Sequence, residues 1–126
     1  MLRVSVSRVE SDQVDRLREW FATLSGPRRD EILATFEEEG VRHETVLLVD
    51  TPAGPLMVYA LEEEDSARSQ AVFQQSTHPV DIEHREVLKA AWAGHAGVEV
   101  LFDLSTHQHG SPALSLIPAG HQAETP

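Results

Sequence analysis

Two runs of consecutive apolar residues, Val46-Leu47-Leu48-Val49 and Leu56-Met57-Val58-Tyr59-Ala60-Leu61, flank the turn-forming segment Thr51-Pro52-Ala53-Gly54-Pro55. Proline and glycine in such a segment reverse the chain, so the runs read as a hairpin of two strands, over Arg42–Asp50 and Leu56–Leu61. Successive side chains of a strand point to opposite faces. Leu47 and Val49 therefore face away from Val46 and Leu48, and Val58 faces away from Tyr59 and Leu61. Both faces of the hairpin are apolar, and a sheet of that kind needs cover on two sides. Helices can supply one cover. A second copy of the chain is the simplest source of the other, because an open apolar sheet exceeds what monomers usually tolerate. A homodimer is thus expected, with cover by the C-terminal segment or the extra helix of the same chain as the alternative.

The elements around the hairpin follow from periodicity. Residues 3 to 9 alternate apolar and polar with β-branched enrichment, the pattern of a half-buried strand. Asp12 then stands where a helix cap would, and Val14, Leu17, Phe21 and Leu24 recur at helical spacing. Gly26-Pro27 interrupts that helix, and Ile32, Leu33 and Phe36 continue an apolar face up to Gly40. After the hairpin, a helix is predicted from Asp65 to Ser76 and another from Val80 to Trp92, opened by Pro79. Val98, Val100, Phe102 and Leu104 alternate with Glu99, Leu101 and Asp103 and predict a fourth strand. The order is βαββαβ with broken helices, an α+β ferredoxin-like layout with a four-stranded antiparallel sheet. Residues 1–104 form the expected domain, and 105–126, rich in His, Gln, Gly, Ser and Pro, read as a flexible tail.

Charge and composition narrow the function. A chain of 126 residues holds one core. Its 21 acidic against 10 basic residues give a net charge of -11, which repels phosphate backbones and anionic lipid, so neither nucleic acid nor a membrane is an expected partner. The absence of Cys excludes disulfides and thiolate chemistry and fits a reducing compartment. No apolar run approaches a bilayer span, and the first residues lack a signal-peptide pattern, so a cytoplasmic location is expected.

The most informative polar segment is His78-Pro79-Val80-Asp81-Ile82-Glu83-His84-Arg85. On a helix, Asp81, His84, Leu88 and Ala91 share one stripe, which lets a carboxylate orient an imidazole as an acid/base pair. The structural alternative is that Asp81 is a first-turn acid and His84 satisfies it. His43 and Tyr59 lie on facing strands of the hairpin and would orient a ligand if the register puts them on one face, which a one-residue slip inverts. His78, Trp20 and Trp92 are further candidate ligand contacts, although packing explains the tryptophans as well. His78, Asp81 and His84 do not have the spacing of a metal site, and His107, His109 and His121 read as adventitious binders, so no metal is expected. The acidic runs Glu37-Glu38-Glu39 and Glu62-Glu63-Glu64-Asp65 read as solvated charge at element ends.

The βαββαβ order, the Glu39-Gly40-Val41 turn and the Val100-Leu101-Phe102-Asp103-Leu104 segment resemble the dimeric α+β barrel proteins, and the spacing is nearest to the L-rhamnose mutarotase family. The His78-Pro79-Val80-Asp81 motif followed by His84 also resembles a family of small uncharacterised proteins. The resemblance implies a dimeric α/β barrel with a pocket between sheet and helices, handling small organic ligands without metal or cofactor. It places Leu17 and Phe21 where mutarotases carry a Tyr and a His, which argues against sugar epimerisation. The expected function is therefore a small cofactor-independent enzyme of isomerase, cyclase or monooxygenase type acting on a compact organic molecule. A non-catalytic homodimeric ligand-binding or stress-associated module is the alternative.

Overall fold

The computed structural model describes residues 1–106 and 114–116. Strand β1 (Leu2–Val9) leads through a 3-10 turn (Ser11–Gln13) into α1 (Val14–Ser25) and α2 (Arg29–Glu39). Strands β2 (Val41–Thr51) and β3 (Gly54–Glu63) form the hairpin, followed by α3 (Ser66–Gln75), α4 (Pro79–Ala91) and β4 (Trp92–His95). A short β5 (Leu114–Leu116) follows. The sheet order is β2-β3-β1-β4 with antiparallel neighbours, and β5 pairs with β1 in parallel. The first four strands and four helices give the α+β, ferredoxin-like arrangement that the sequence predicts.

The element boundaries have local causes. Pro27 cannot donate to the helical ladder, and the N–H groups of Gly26 and Arg28 both fall back on the Thr23 carbonyl, at 3.3 and 3.0 Å. Gly40 closes α2 at a φ of 76°, a left-handed conformation that a Cβ disfavours. Asp65 caps α3 by accepting the Arg68 N–H at 3.1 Å, and Pro79 opens α4. Asp12, by contrast, lies in the 3-10 turn, and no side chain caps α1.

The register of the hairpin pairs Val46 with Tyr59, Leu48 with Met57 and Glu44 with Leu61, and these pairs share one face. On that face Tyr59, Leu61 and Met57 join Val9 of β1 and Leu17, Val87, Leu88 and Ala91 of the helices in the main core. A second cluster, Leu24, Ile32 and Val80, packs where α1, α2 and α4 meet. The opposite face carries Leu2, Val4 and Val6 of β1, Leu47 and Val49 of β2 and Leu56, Val58 and Ala60 of β3. Leu47 is 52% exposed, and the others are half-buried apart from the exposed Leu2.

The fourth strand is not where the alternation of residues 98–104 predicts it. The chain turns extended at once after α4, so Trp92–His95 forms β4, and the Ala96 N–H still reaches the Val6 carbonyl at 3.2 Å. Both edges of β1 are then in use: β3 runs along one, while β4 and β5 divide the other. Residues 98–104 find no strand to pair with, and Leu101, Phe102 and Leu104 are 86%, 80% and 78% exposed. Of the expected tail 105–126, the strand at 114–116 docks on β1, and the tail reading of 107–113 and 117–126 lies outside the described residues. Among the described residues no helix is long and apolar enough to cross a membrane.

Candidate functional site

The inward stripe of α4 carries Asp81, His84 and Leu88, as its spacing predicts, and all three are buried. His84 lies within an aromatic box. Phe21 and Phe73 meet its ring edge-on at 5.7 Å each, and Trp20 stacks at 6.0 Å. Arg28 stabilises the position of Trp20: its guanidinium lies 5.5 Å from the indole ring, held by Glu31 and by Glu83 of α4. Arg85 donates to the Phe73 and Ser76 carbonyls at 2.6 and 2.9 Å, satisfying the end of α3 and fixing Phe73 beside the imidazole.

Hydrogen bonds order the protons of this cluster. The Trp20 indole N–H donates to Nδ1 of His84 at 2.7 Å. Because an indole can only donate, Nδ1 is an acceptor, and the neutral ring carries its hydrogen on Nε2. Nε2 then donates to the Tyr59 hydroxyl at 2.6 Å, and that hydroxyl donates to Glu44 at 3.0 Å. The result is one directed chain, Trp20 to His84 to Tyr59 to Glu44. Burial pushes the His84 pKa down to about 4, in agreement with a neutral ring. Burial also drives the Tyr59 phenol well above its usual range, reinforced by Glu44.

Beside the chain lies a cavity of about 50 Å³ whose walls include Arg3, Phe36, Glu39, Glu44, Tyr59, Phe73, Asp81 and His84. Its carboxyls are displaced from ordinary behaviour. Burial lifts Glu39 to about 8, with Asp81 and Glu44 adding repulsion. Burial lifts Glu44 to about 7, against the Tyr59 hydrogen bond that favours its charged form. Asp81 is raised by burial, opposed by a hydrogen bond from Ser76. Arg3 is bound in a two-point ion pair to the fully buried Glu63, Nε to Oε1 at 2.5 Å and Nη2 to Oε2 at 3.1 Å. Among the described residues no three His, Asp or Glu side chains converge as metal ligands do.

Several sequence expectations are corrected by this geometry. Asp81 and His84 share a stripe and a cavity but do not form the expected pair, since Trp20 and Tyr59 occupy both ring nitrogens. His43 does not face Tyr59. The regular register that runs from the turn at Thr51 back to His43 sets His43 opposite Glu62, on the other face, where Nε2 lies 2.9 Å from the Thr45 hydroxyl. His78 precedes α4 on the surface, 2.9 Å from Glu38. Trp92 begins β4 and meets His95 edge-on at 6.2 Å, outside the cavity walls. Trp20 does reach the site, through His84 rather than by direct lining.

Glu44, Glu39, Glu63 and Arg3 are the contributors that sequence reasoning missed. Glu44 precedes Val46 and Leu48 at a spacing of two, and Glu63 follows Tyr59 and Leu61 at the same spacing, which is the signal for an inward carboxylate. The acidic runs are therefore not uniformly solvated: Glu39 is 7% exposed and Glu63 1%. The ends of α2 and β3 turn one member of each run under the fold.

Fold and site together define a small α+β domain of ferredoxin-like layout with an acidic, aromatic-walled cavity between sheet and helices. The chain belongs to a family of unknown function, DUF6176, whose pattern matches residues 2–109. Neither the curated proteins nor the solved structures give a match.

Proposed function

We propose that this protein is a cofactor-independent pocket enzyme that moves a proton on a compact organic molecule, of isomerase or cyclase type, and that it acts as a homodimer. The observation that carries the reading is the position of the Tyr59 hydroxyl, between His84 at 2.6 Å and Glu44 at 3.0 Å, in the wall of a cavity. A carboxyl that titrates near neutrality is suited to accept a proton and return it, because both of its forms are populated at working pH. Glu44 has that property, with a pKa of about 7. Tyr59 would donate to an oxygen of the ligand as charge develops there, and His84, donating from Nε2, would supply the polarisation. In this scheme His84 orients Tyr59 and is a positioning residue, while Glu44 and Tyr59 touch the ligand.

The dimer reading is supported by the apolar outer sheet face and by the unpaired run Val98, Val100, Leu101, Phe102 and Leu104, all exposed. A second copy laid on that face would bury its apolar side chains, and the run offers further apolar surface for such a contact. The second functional reading, a homodimeric ligand-binding module without turnover, is favoured by the satisfaction of both His84 nitrogens inside the protein. Mass spectrometry of the ligand that co-purifies, followed by turnover assays of that compound with Glu44→Gln, separates the two. Turnover by the natural protein that falls at least a hundredfold in the variant supports the enzyme, and binding without conversion supports the module.

A further inference from the structure

Three carboxyls share the cavity, two of them buried and Glu44 half-buried, and the guanidinium beside them is already bound. Glu39 and Asp81 are 7% and 1% exposed, yet Oε1 of Glu39 and Oδ1 of Asp81 have no hydrogen-bond partner. Arg3 is engaged by Glu63 through two hydrogen bonds, so a cation entering the cavity would meet Glu39, Glu44 and Asp81 as its own counter-charges in place of the protons they hold. Buried carboxylates are stable when a donor or a positive charge accompanies them. Phe36, Phe73 and Tyr59 complete the walls, and aromatic faces attract cations.

We propose that the cavity takes a small organic cation, an ammonium or amidinium group on a short carbon frame, whose N–H groups bond the free oxygens of Glu39 and Asp81. This rests on the reading of the cavity as the ligand site and names its ligand class. An anion would face three carboxyls. A metal ion, strongly hydrated, would meet aromatic walls and, among the described residues, no convergent set of three ligands. Size limits the frame as well: about 50 Å³, at roughly 10–15 Å³ for a water-sized group, admits about three to five non-hydrogen atoms.

Acetamidinium, acetamide and acetate share one four-atom frame and differ in charge, so they are the probes. In two-dimensional amide NMR of the full chain, acetamidinium should shift the signals of Phe36, Phe73 and His84 saturably, with acetamide and acetate at least tenfold weaker. Glu39→Gln should weaken acetamidinium at least tenfold, while Glu38→Gln, on the exposed neighbour, leaves it unchanged. Should Glu39→Gln not fold, Asp81→Asn serves, and the three-probe comparison on the natural protein stands by itself. Equal binding of acetamide or acetate, preference for calcium at the same signals, or no saturable shift with acetamidinium overturns the proposal. Acetamidinium binding without conversion of the co-purifying compound would defeat the enzyme reading and leave the ligand class intact. Turnover of a neutral substrate without acetamidinium binding would do the reverse.

Discussion

The indole N–H of Trp20 donates to Nδ1 of His84 across the interface of α1 and α4, at 2.7 Å. That single bond selects the imidazole tautomer, and through it the direction of every hydrogen bond to Glu44. The arrangement predicts that Nδ1 is unprotonated and Nε2 protonated, which imidazole nitrogen chemical shifts read directly. Trp20→Phe removes the donor and leaves a buried acceptor unpaired, at a cost of about 1–3 kcal/mol in denaturant unfolding. The same variant should show a mixture of tautomers, and retention of the single Nε2–H form would refute the assignment.

Stability should fall as pH rises above 6.5. Glu39 and Glu44 have folded pKa values of about 8 and about 7 against 4.5 unfolded, so the folded state binds more protons between those limits. Their contribution is complete below 4.5 and is lost as pH rises through 7 and 8. His84 acts with the opposite sign, since a folded value of about 4 against 6.5 gives stability that is present above 6.5 and lost as pH falls toward 4. Above 6.5 the carboxyls act without that opposition, and the loss by pH 8 is about 2 kcal/mol. Glu39→Gln, which has no charge to bury, should flatten that slope in thermal unfolding at graded pH.

Tyr59→Phe keeps the ring in the core and removes the hydroxyl that His84 and Glu44 share. For a catalytic Tyr59, kcat on the co-purifying compound should fall by about 10²–10⁴. A merely structural hydroxyl would change the melting temperature and leave kcat within a few-fold.

Gly40→Ala forces a Cβ into the left-handed conformation that ends α2. A loss of about 1–2 kcal/mol in chemical denaturation is expected from that conformation. Gly97→Ala has open space around its Cβ and serves as the comparison, with little change expected.

Val58→Asp puts a charge at the middle of the outer sheet face, opposite Leu47 and Val6. If two copies pair through that face, sedimentation should show a dimer for the natural protein and a monomer for the variant, both folded by circular dichroism. A natural protein that sediments as a monomer at high concentration would remove the dimer reading.

Local structure and the two-sided character of the sheet are legible in the residues alone. Val46-Leu47-Leu48-Val49 makes both faces apolar whatever it pairs with, Gly26-Pro27 breaks the helix, and the spacing from Asp81 to Leu88 sets the inward stripe of α4. These follow from bond geometry and side-chain period, which act within a few residues. The remaining features depend on contacts between residues far apart in the chain, which packing settles. Val98 to Leu104 carries a strand's alternation, but a strand exists only with a partner, and β3, β4 and β5 had already taken the edges of β1. His43 was placed outside and Glu44 inside by the register of the hairpin, which pairs Val46 with Tyr59 and so alternates Glu44 onto the face of Tyr59 and His43 onto the other. The partner of His84 was likewise decided by packing, because the residue that reaches an imidazole is the one three-dimensional neighbours bring within 3 Å, and these were Trp20 and Tyr59, 64 and 25 positions away, rather than Asp81 on the preceding turn.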